Sequence, residues 1–213
     1  MSILSEKENI LISHCQAGDL QAYDKLMQRY EKKVYALCYR MSGNPDDAAD
    51  LAQESFLKAF RALPSFKKQA SFSTWLFRIV TNTCLDERRK QKKRAGLISL
   101  DKPIATEEGE MQRELTADAS DPLTEAIRRE AQTEIQILLS KLPPTQRAVI
   151  IMRDLQGFSY EEIAASLQIN MGTLKSRLNR ARSRLRQLYL QKEEQNTEIK
   201  HLRSKGGMNY DMF

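Results

Sequence analysis

SYEEIAASLQINMGTLKSRLNRARSRLR, residues 159–186, reads as two short helices joined by a tight turn, the second carrying a row of cations. Ser159 is placed to accept a bond from the amide of Glu162, whose carboxylate reaches back, the two-way arrangement of a capping box. Behind it, Tyr160, Ile163, Ala164 and Leu167 fall at i, i+3, i+4 and i+7, one buried stripe. Asn170 is suited to cap the second helix, in which Leu174, Leu178, Ala181, Leu185 and Leu188 make another stripe. At about 3.6 residues per turn, the face opposite those leucines holds Ser176, Asn179, Arg180 and Ser183, with Lys175 and Arg177 on its shoulders. A helix buried on one side and bearing Ser, Asn and Arg on the other suits a DNA major groove. A solvated helix face or a coiled-coil seam is the alternative for the second helix alone. The capped first helix and short turn favour a helix-turn-helix. Gly172 adds to this, since a missing Cβ lets a phosphate approach free helix-terminal amides. Gln168 stands where many such turns have glycine, at a cost of about 1 kcal/mol for a left-handed backbone.

Composition narrows the rest. A chain of 213 residues holds one large domain or two small ones, and its 8 Gly and 6 Pro suit a helical protein. No run approaches the ~20 apolar residues of a membrane span. The N-terminus has no basic region followed by a long apolar core, so a cytoplasmic location and no membrane insertion are expected. Cys15, Cys38 and Cys84 are odd in number and widely spaced, as for reduced thiols. His14 beside Cys15 supplies too few ligands for zinc. No metal and no cofactor are expected, and without a phosphate loop or triad the chain is not expected to be an enzyme.

Charge divides the chain more sharply than its net +6 suggests. Residues 1–95 carry 17 basic against 11 acidic groups, 96–122 carry 2 against 7, and 123–190 carry 11 against 6. Two basic blocks on an acidic tether point to two nucleic-acid-facing domains. The N-terminal block reads as helices, with Tyr23, Leu26, Tyr30, Val34, Leu37, Cys38 and Met41 in one continuous period. Gly43-Asn44-Pro45 breaks it, a helix from Pro45 to Leu63 follows, and a long one runs from about Ser71 to Arg94. Residues 96–122 read as a linker that could reach roughly 90 Å when stretched at about 3.3 Å per residue, more than two turns of DNA at about 34 Å each. The C-terminal block begins near Leu123, with Ile127, Ala131, Ile135, Leu138 and Leu139 on one face and a short helix from Thr145 to Leu155. Residues 191–213 are polar, without pattern, and expected to be disordered.

A second constellation surrounds the only Trp. Phe72, Trp75, Leu76, Ile79 and Val80 share a face that reads as core. On another face Thr74, Arg78 and Asn82 line up at i, i+4 and i+8, beside the loop Phe66-Lys67-Lys68. Arg88, Arg89, Lys90, Lys92, Lys93 and Arg94 follow on the same helix. Cations track a phosphate backbone, while aromatic and amide groups hold unstacked bases. The Asn82 amide offers donor and acceptor together to a flipped base. A basic helix end also complements its own dipole, so that run alone decides nothing.

Three stretches, DDAADLAQESFLKAF (46–60), SFSTWLFRIVTNTCLDERRK (71–90) and residues 142–186, in this order and spacing, resemble the extracytoplasmic-function sigma factors of bacterial RNA polymerase. The resemblance covers about Ala17 to Leu188. It implies an all-α chain of two small helical domains: a sigma-2 bundle over 1–95 and a sigma-4 helix-turn-helix domain over 123–190, joined by the acidic linker. The 27-residue connection is too short for the additional domain of the larger housekeeping class. By position, Asp47, Asp50, Leu51, Gln53, Glu54 and Phe56 resemble the surface that docks on core RNA polymerase at the β′ clamp. The partner set also includes the β flap. Phe66, Lys67, Thr74, Trp75, Arg78, Asn82, Arg88 and Arg89 resemble the part that melts and reads the −10 element as single strand. Thr173, Lys175, Ser176, Arg177, Asn179 and Arg180 match the positions that read duplex DNA at −35. The linker resembles the family's connector, whose negative charge suits a basic polymerase channel. An anti-sigma factor is a further candidate partner. A stand-alone helix-turn-helix regulator and a polymerase-binding decoy are the rival readings. The first leaves DDAADLAQESFLKAF without a task, and the second predicts polymerase binding without promoter-dependent transcript.

Overall fold

The computed structural model describes residues 3–98 and 122–206, and within them the chain is all α, with nine α-helices and no strand. The N-terminal half comprises α1 (Ile3–Gln16), α2 (Leu20–Gln28), α3 (Glu31–Ser42), α4 (Pro45–Ala62) and α5 (Phe72–Ile98). The C-terminal half comprises α6 (Pro122–Ser140), α7 (Pro144–Ile150), α8 (Tyr160–Leu167) and α9 (Met171–Gly206). Among the described residues no helix is long and apolar enough to cross a membrane.

Local chemistry explains the boundaries. Gly43 closes α3 with a left-handed backbone (φ 80°), and its amide donates to the Tyr39 carbonyl at 2.8 Å. Asn44 then caps α4, its side-chain oxygen accepting from the amides of Asp46 and Asp47 at 2.8 and 3.1 Å. Pro45 at the first helical position supplies the fixed φ that a helix start favours. The single period expected from Tyr23 to Met41 is in fact two helices. Tyr30 steps out of the helix between them, its amide donating to Met27 O at 2.8 Å and its ring lying 5.4 Å from Phe72. Both helices bury the same side, so the spacing of apolar residues survives a break that it does not reveal.

Leu26, Val34, Leu37, Met41, Leu76 and Val80 are almost wholly buried in the N-terminal half. Cys38 and Cys84 meet there with 3.9 Å between their sulfurs. The neighbouring thiol and burial both push the Cys38 pKa far up, so it packs as a small neutral group. In the C-terminal half Leu139, Val149, Ile151, Met152, Ile163 and Leu174 play the same part, each removal from water contributing about 1.5–3 kcal/mol. The two halves are continuous: Phe77 of α5 lies edge-on to Phe158 at 5.0 Å.

Three expectations are corrected. The helix expected from Thr145 to Leu155 ends as regular α-helix at Ile150 and widens into a π turn over Ile151–Leu155, where Gln156 N donates to Ile151 O at 3.0 Å. The wider turn accompanies an unbroken buried run from Arg147 to Met152, more than one helix face can bury. The stripe expected on α6 is covered only at its end. Leu139 is buried, whereas Ile127 and Ile135 are 60% and 44% exposed, because periodicity identifies a side but not a partner to cover it. Residues 191–206, expected to be disordered, continue α9, since a helix anchored at one end adds good helix formers at little cost. Of the expected linker, Gly96–Ile98 end α5 and Pro122 starts α6. Residues 99–121 and 207–213 lie outside the described residues.

Candidate nucleic-acid interface

The helix-turn-helix has the local chemistry its sequence calls for. Ser159 Oγ accepts from the Glu162 amide at 3.1 Å, and Glu162 Oε2 accepts from the Ser159 amide at 2.9 Å. The turn passes through Gln168, whose left-handed backbone (φ 53°) ends α8 with its amide donating to Ala164 O. Asn170 Oδ1 caps α9 by accepting from the Thr173 amide at 2.7 Å. At Gly172 an added Cβ would meet only the Asn170 side-chain oxygen, at 3.6 Å, so the protein's own packing does not demand glycine there.

On α9, Leu174, Leu178 and Ala181 are buried, which turns Lys175, Ser176, Asn179 and Arg180 outward and leaves Thr173 and Arg177 half-buried. Among the described residues Lys175, Arg177 and Arg180 make no ion pair, so their charges face solvent uncompensated. Arg182, two residues further, behaves differently. It grips Asp154 with both arms of its guanidinium at 2.6 and 3.1 Å and so fixes α9 against the π turn. Arg153 lies 4.7 Å over the Tyr160 ring and donates to Phe158 O at 2.7 Å, tying the same turn to α8. Neither role is visible in spacing, because both partners come from another element.

The second face is built on α5 and the loop before it. Phe66 is buried against Trp75 (5.0 Å) and Phe72 (5.8 Å), and its carbonyl accepts from the Gln16 side chain at 2.9 Å. Lys67 is exposed, followed by Lys68 in a left-handed conformation (φ 57°). Thr74, Arg78 and Asn82 share one side as expected, but their surroundings differ. Asn82 is exposed, Arg78 and Trp75 are half-buried, and Thr74 is 4% exposed. The Thr74 hydroxyl donates to Glu162 Oε1 at 3.0 Å, and its carbonyl accepts from Ser166 Oγ at 3.2 Å. The basic run at the end of α5 is likewise divided. Arg88 donates to the carbonyls of Met41 and Ser42 at the C-terminus of α3, the end of a helix that favours a cation. Arg89 pairs with Asp86 at 2.7 Å in solvent. Arg88 therefore joins α5 to α3, while Lys92 and Lys93 make no ion pair among the described residues.

A third face lies on α4. Asp47, Asp50 and Gln53 are exposed, Glu54 pairs with Lys58 at 2.7 Å, Phe56 is half-buried, and Leu51 is 6% exposed and turned into the core. Leu57 and Phe60, outside the set expected from sequence, are 50% and 41% exposed and extend the line of Asp50 and Gln53 along the helix. Tyr23 supports Phe60 from α2 at 4.9 Å and donates to Phe56 O at 2.6 Å. The i, i+4, i+7 spacing of Gln53, Leu57 and Phe60 was the available signal.

The sequence also matches known families over these regions. Residues 26–94 match the model for sigma-70 region 2, and residues 132–185 match that for sigma-70, region 4. Over 176 residues the chain is 38% identical to the ECF RNA polymerase sigma factor SigW of Bacillus subtilis, covering 82% of this chain and 92% of that one. It is 37% identical over 177 residues to the ECF RNA polymerase sigma-E factor of Salmonella typhimurium, with 82% and 90% covered. Among solved structures it is similar to the sigma factor RpoE of Bartonella quintana, at 26% identity and a TM-score of 0.61 over 80% of this chain and 98% of that chain.

Proposed function

Because the chain belongs to the sigma-70 family, in its extracytoplasmic-function branch, we infer that it gives bacterial RNA polymerase its promoter specificity through two separate DNA-reading faces. It is an initiation factor and not an enzyme; bond formation stays with the polymerase. The observation that carries the two-face reading is the outward row Lys175, Ser176, Asn179 and Arg180, set on a capped helix whose other side is buried. In this reading the row contacts base edges of duplex DNA at −35, with Arg177 and Thr173 toward the backbone. Asn82, Arg78 and Trp75 hold single-stranded −10 bases, and Lys67 and Arg89 steer phosphates. Phe66 and Arg88 support this face from inside, given their burial and their bonds. Asp47, Asp50 and Gln53, with Leu57 and Phe60, dock on the β′ clamp, and the C-terminal domain docks on the β flap.

The domain assignment goes with it: sigma-2 over 1–95, an acidic connector over 96–122 and sigma-4 from 123. The Bartonella relative was solved in complex with the anti-sigma factor NepR, and a protein of that class is proposed as a regulator of this chain. A cytoplasmic location follows from work on the polymerase.

In-vitro transcription with purified core polymerase tests the reading. Promoter-dependent transcripts support it, polymerase binding without transcripts indicates a decoy, and no binding indicates a stand-alone regulator. Arg180→Ala is expected to weaken −35 binding by roughly 1–3 kcal/mol and relax specificity at one base position, measured by competition binding. A change only in the steepness of the salt dependence would make Arg180 a phosphate contact instead. Asn82→Ala is expected to impair promoter opening, followed by permanganate reactivity of unpaired thymines, at unchanged affinity for polymerase. Equal loss of both would remove Asn82 from the reading face.

A further inference from the structure

We propose that Arg153 and Asp154, adjacent in the π turn, are positioning residues for −35 reading: they brace the two helices of the helix-turn-helix and set the roll and angle of α9 on DNA. The inference rests on the two-face reading above. The two helices meet at one joint, the turn from Gln168 to Asn170. Past that joint Leu174, Leu178 and Ala181 hold α9 by apolar contact, which is strong but has no preferred direction. An apolar stripe by itself lets a helix roll.

A small roll would spoil the reading. At a radius of about 6 Å, a roll of about 20° carries a side-chain tip roughly 2 Å. Hydrogen bonds to base edges tolerate a spread of only about 0.5 Å in donor–acceptor distance. The row Lys175, Ser176, Asn179 and Arg180 therefore needs a directional restraint as well as burial. Arg182 supplies it. It follows Lys175 by seven residues, two turns further along the same flank. Its Nη2 and Nε donate to Asp154 Oδ1 and Oδ2 at 2.6 and 3.1 Å, a two-pronged bond that fixes a planar guanidinium in distance and in angle. The reading row thus lies between two anchors, the Asn170 cap before it and the Asp154 carboxylate after it.

The other helix is held from the same place. Arg153 lies 4.7 Å over the ring of Tyr160, the first residue of α8, and donates to Phe158 O just ahead of the Ser159 cap. α8 runs from Tyr160 to the joint, α9 from the joint to Arg182, and the Arg153–Asp154 pair closes the third side of a triangle. Two rods on a hinge change their angle freely; a third side removes that freedom. Asp154 first, and the Tyr160 hydroxyl after it, push the Arg182 pKa up, so the guanidinium feels both helices at this corner. After the buried run Arg147–Met152, Arg153 and Asp154 are the first side chains to leave the core, and each meets a different helix. Asp154 also carries the wrong charge for a DNA contact. Electrostatics alone would make binding tighter when that carboxylate is removed. Positioning predicts the opposite sign, which separates bracing from charge.

The test uses holoenzyme assembled from core polymerase and the full chain, with a −35 duplex that the parent selects from a randomised pool. The readout is the ratio of affinities for this duplex and for one with a single mismatch. The parent is expected to discriminate by about thirtyfold and Asp154→Asn by about threefold, with weaker binding to the selected duplex. Asp154→Glu, which keeps a carboxylate within reach, is expected to stay within about twofold of the parent. Arg182→Gln is expected to match Asp154→Asn. Unchanged discrimination in Asp154→Asn, or tighter binding to the selected duplex, would overturn the proposal. A loss in Arg182→Gln alone, with a shallower salt dependence, would overturn it too, since Arg182 would then be a phosphate contact. A second measurement does not depend on DNA. Spin labels at Glu161→Cys and Ser183→Cys, exposed positions on the two helices, report the α8–α9 distance in the free chain, where the three native thiols are buried. Asp154→Asn is expected to widen that distance distribution about twofold at unchanged circular dichroism, as α9 gains local freedom. Equal widths would overturn the bracing. A parent chain that selects no −35 duplex would sink the two-face reading, while the label distances still decide whether Asp154 braces α9.

Discussion

Arg147→Ala is expected to lower the unfolding free energy by roughly 2–4 kcal/mol, as two or more backbone carbonyls lose their donors. Arg147 is 5% exposed and has no carboxylate partner among the described residues. Its guanidinium donates to Met41 O at 2.7 Å, Ser140 O at 2.6 Å and Leu142 O at 3.3 Å, binding the ends of α3 and α6 together. Burial and the nearby Arg88 charge push its pKa down to about 10, so it remains a cation at neutral pH. Two effects oppose each other when it is removed. The buried charge and its repulsion from Arg88 disappear, which stabilises. The Leu142 carbonyl, the Ser140 carbonyl and a packed side chain are left without partners, which destabilises. Met41 O keeps Arg88 in either case. The loss outweighs the relief because the Ser140 and Leu142 carbonyls each lose a buried donor, at about 1–3 kcal/mol apiece. Arg147→Met, which restores packing but no bond, is expected to fall between the two. Urea titrations of the three proteins measure this, and a loss below about 1 kcal/mol for alanine would mean that water replaces the guanidinium.

Leu57→Glu is expected to weaken binding to core polymerase by about thirty-fold, or ~2 kcal/mol, the scale of a central contact residue. Leu57 is 50% exposed and lies outside the buried core, so stability is expected to stay within about 0.5 kcal/mol. The argument concerns where an apolar side chain sits. Leu57 and Phe60 are large apolar groups held in solvent beside Asp50 and Gln53, a patch with a polar rim. A glutamate there must be desolvated against an apolar partner surface. Pull-down at graded polymerase concentrations measures the effect. An unchanged affinity with unchanged helicity would move the docking surface off this side of α4.

Residues near one another in sequence were the legible ones. The Ser159–Glu162 box, the Asn170 cap, the Gln168 turn and the outward row on α9 all depend on bonds or angles within four residues. The periodicity of Leu174, Leu178 and Ala181 chose the same outward side chains that the structure exposes. The break at Tyr30, the bare end of α6 and the helical continuation past Leu190 were not legible. Each depends on whether another element is present to cover, bend or anchor the segment. Leu51 illustrates the limit within the proposed docking set, since it has the right neighbours along α4 but faces inward.

The sequence alone determined the caps of α8 and α9 and which side chains of α9 face outward, because backbone hydrogen bonding and the 3.6-residue period act over a few residues. Tertiary structure alone decided that Arg88 and Arg147 converge on one helix end, that Arg182 orients α9 rather than reaching out from it, and that α8 lies on Thr74. The partners in those contacts are 46, 106, 28 and 92 residues apart along the chain. Such contacts are set by how whole faces pack, a property that no local pattern of residues encodes.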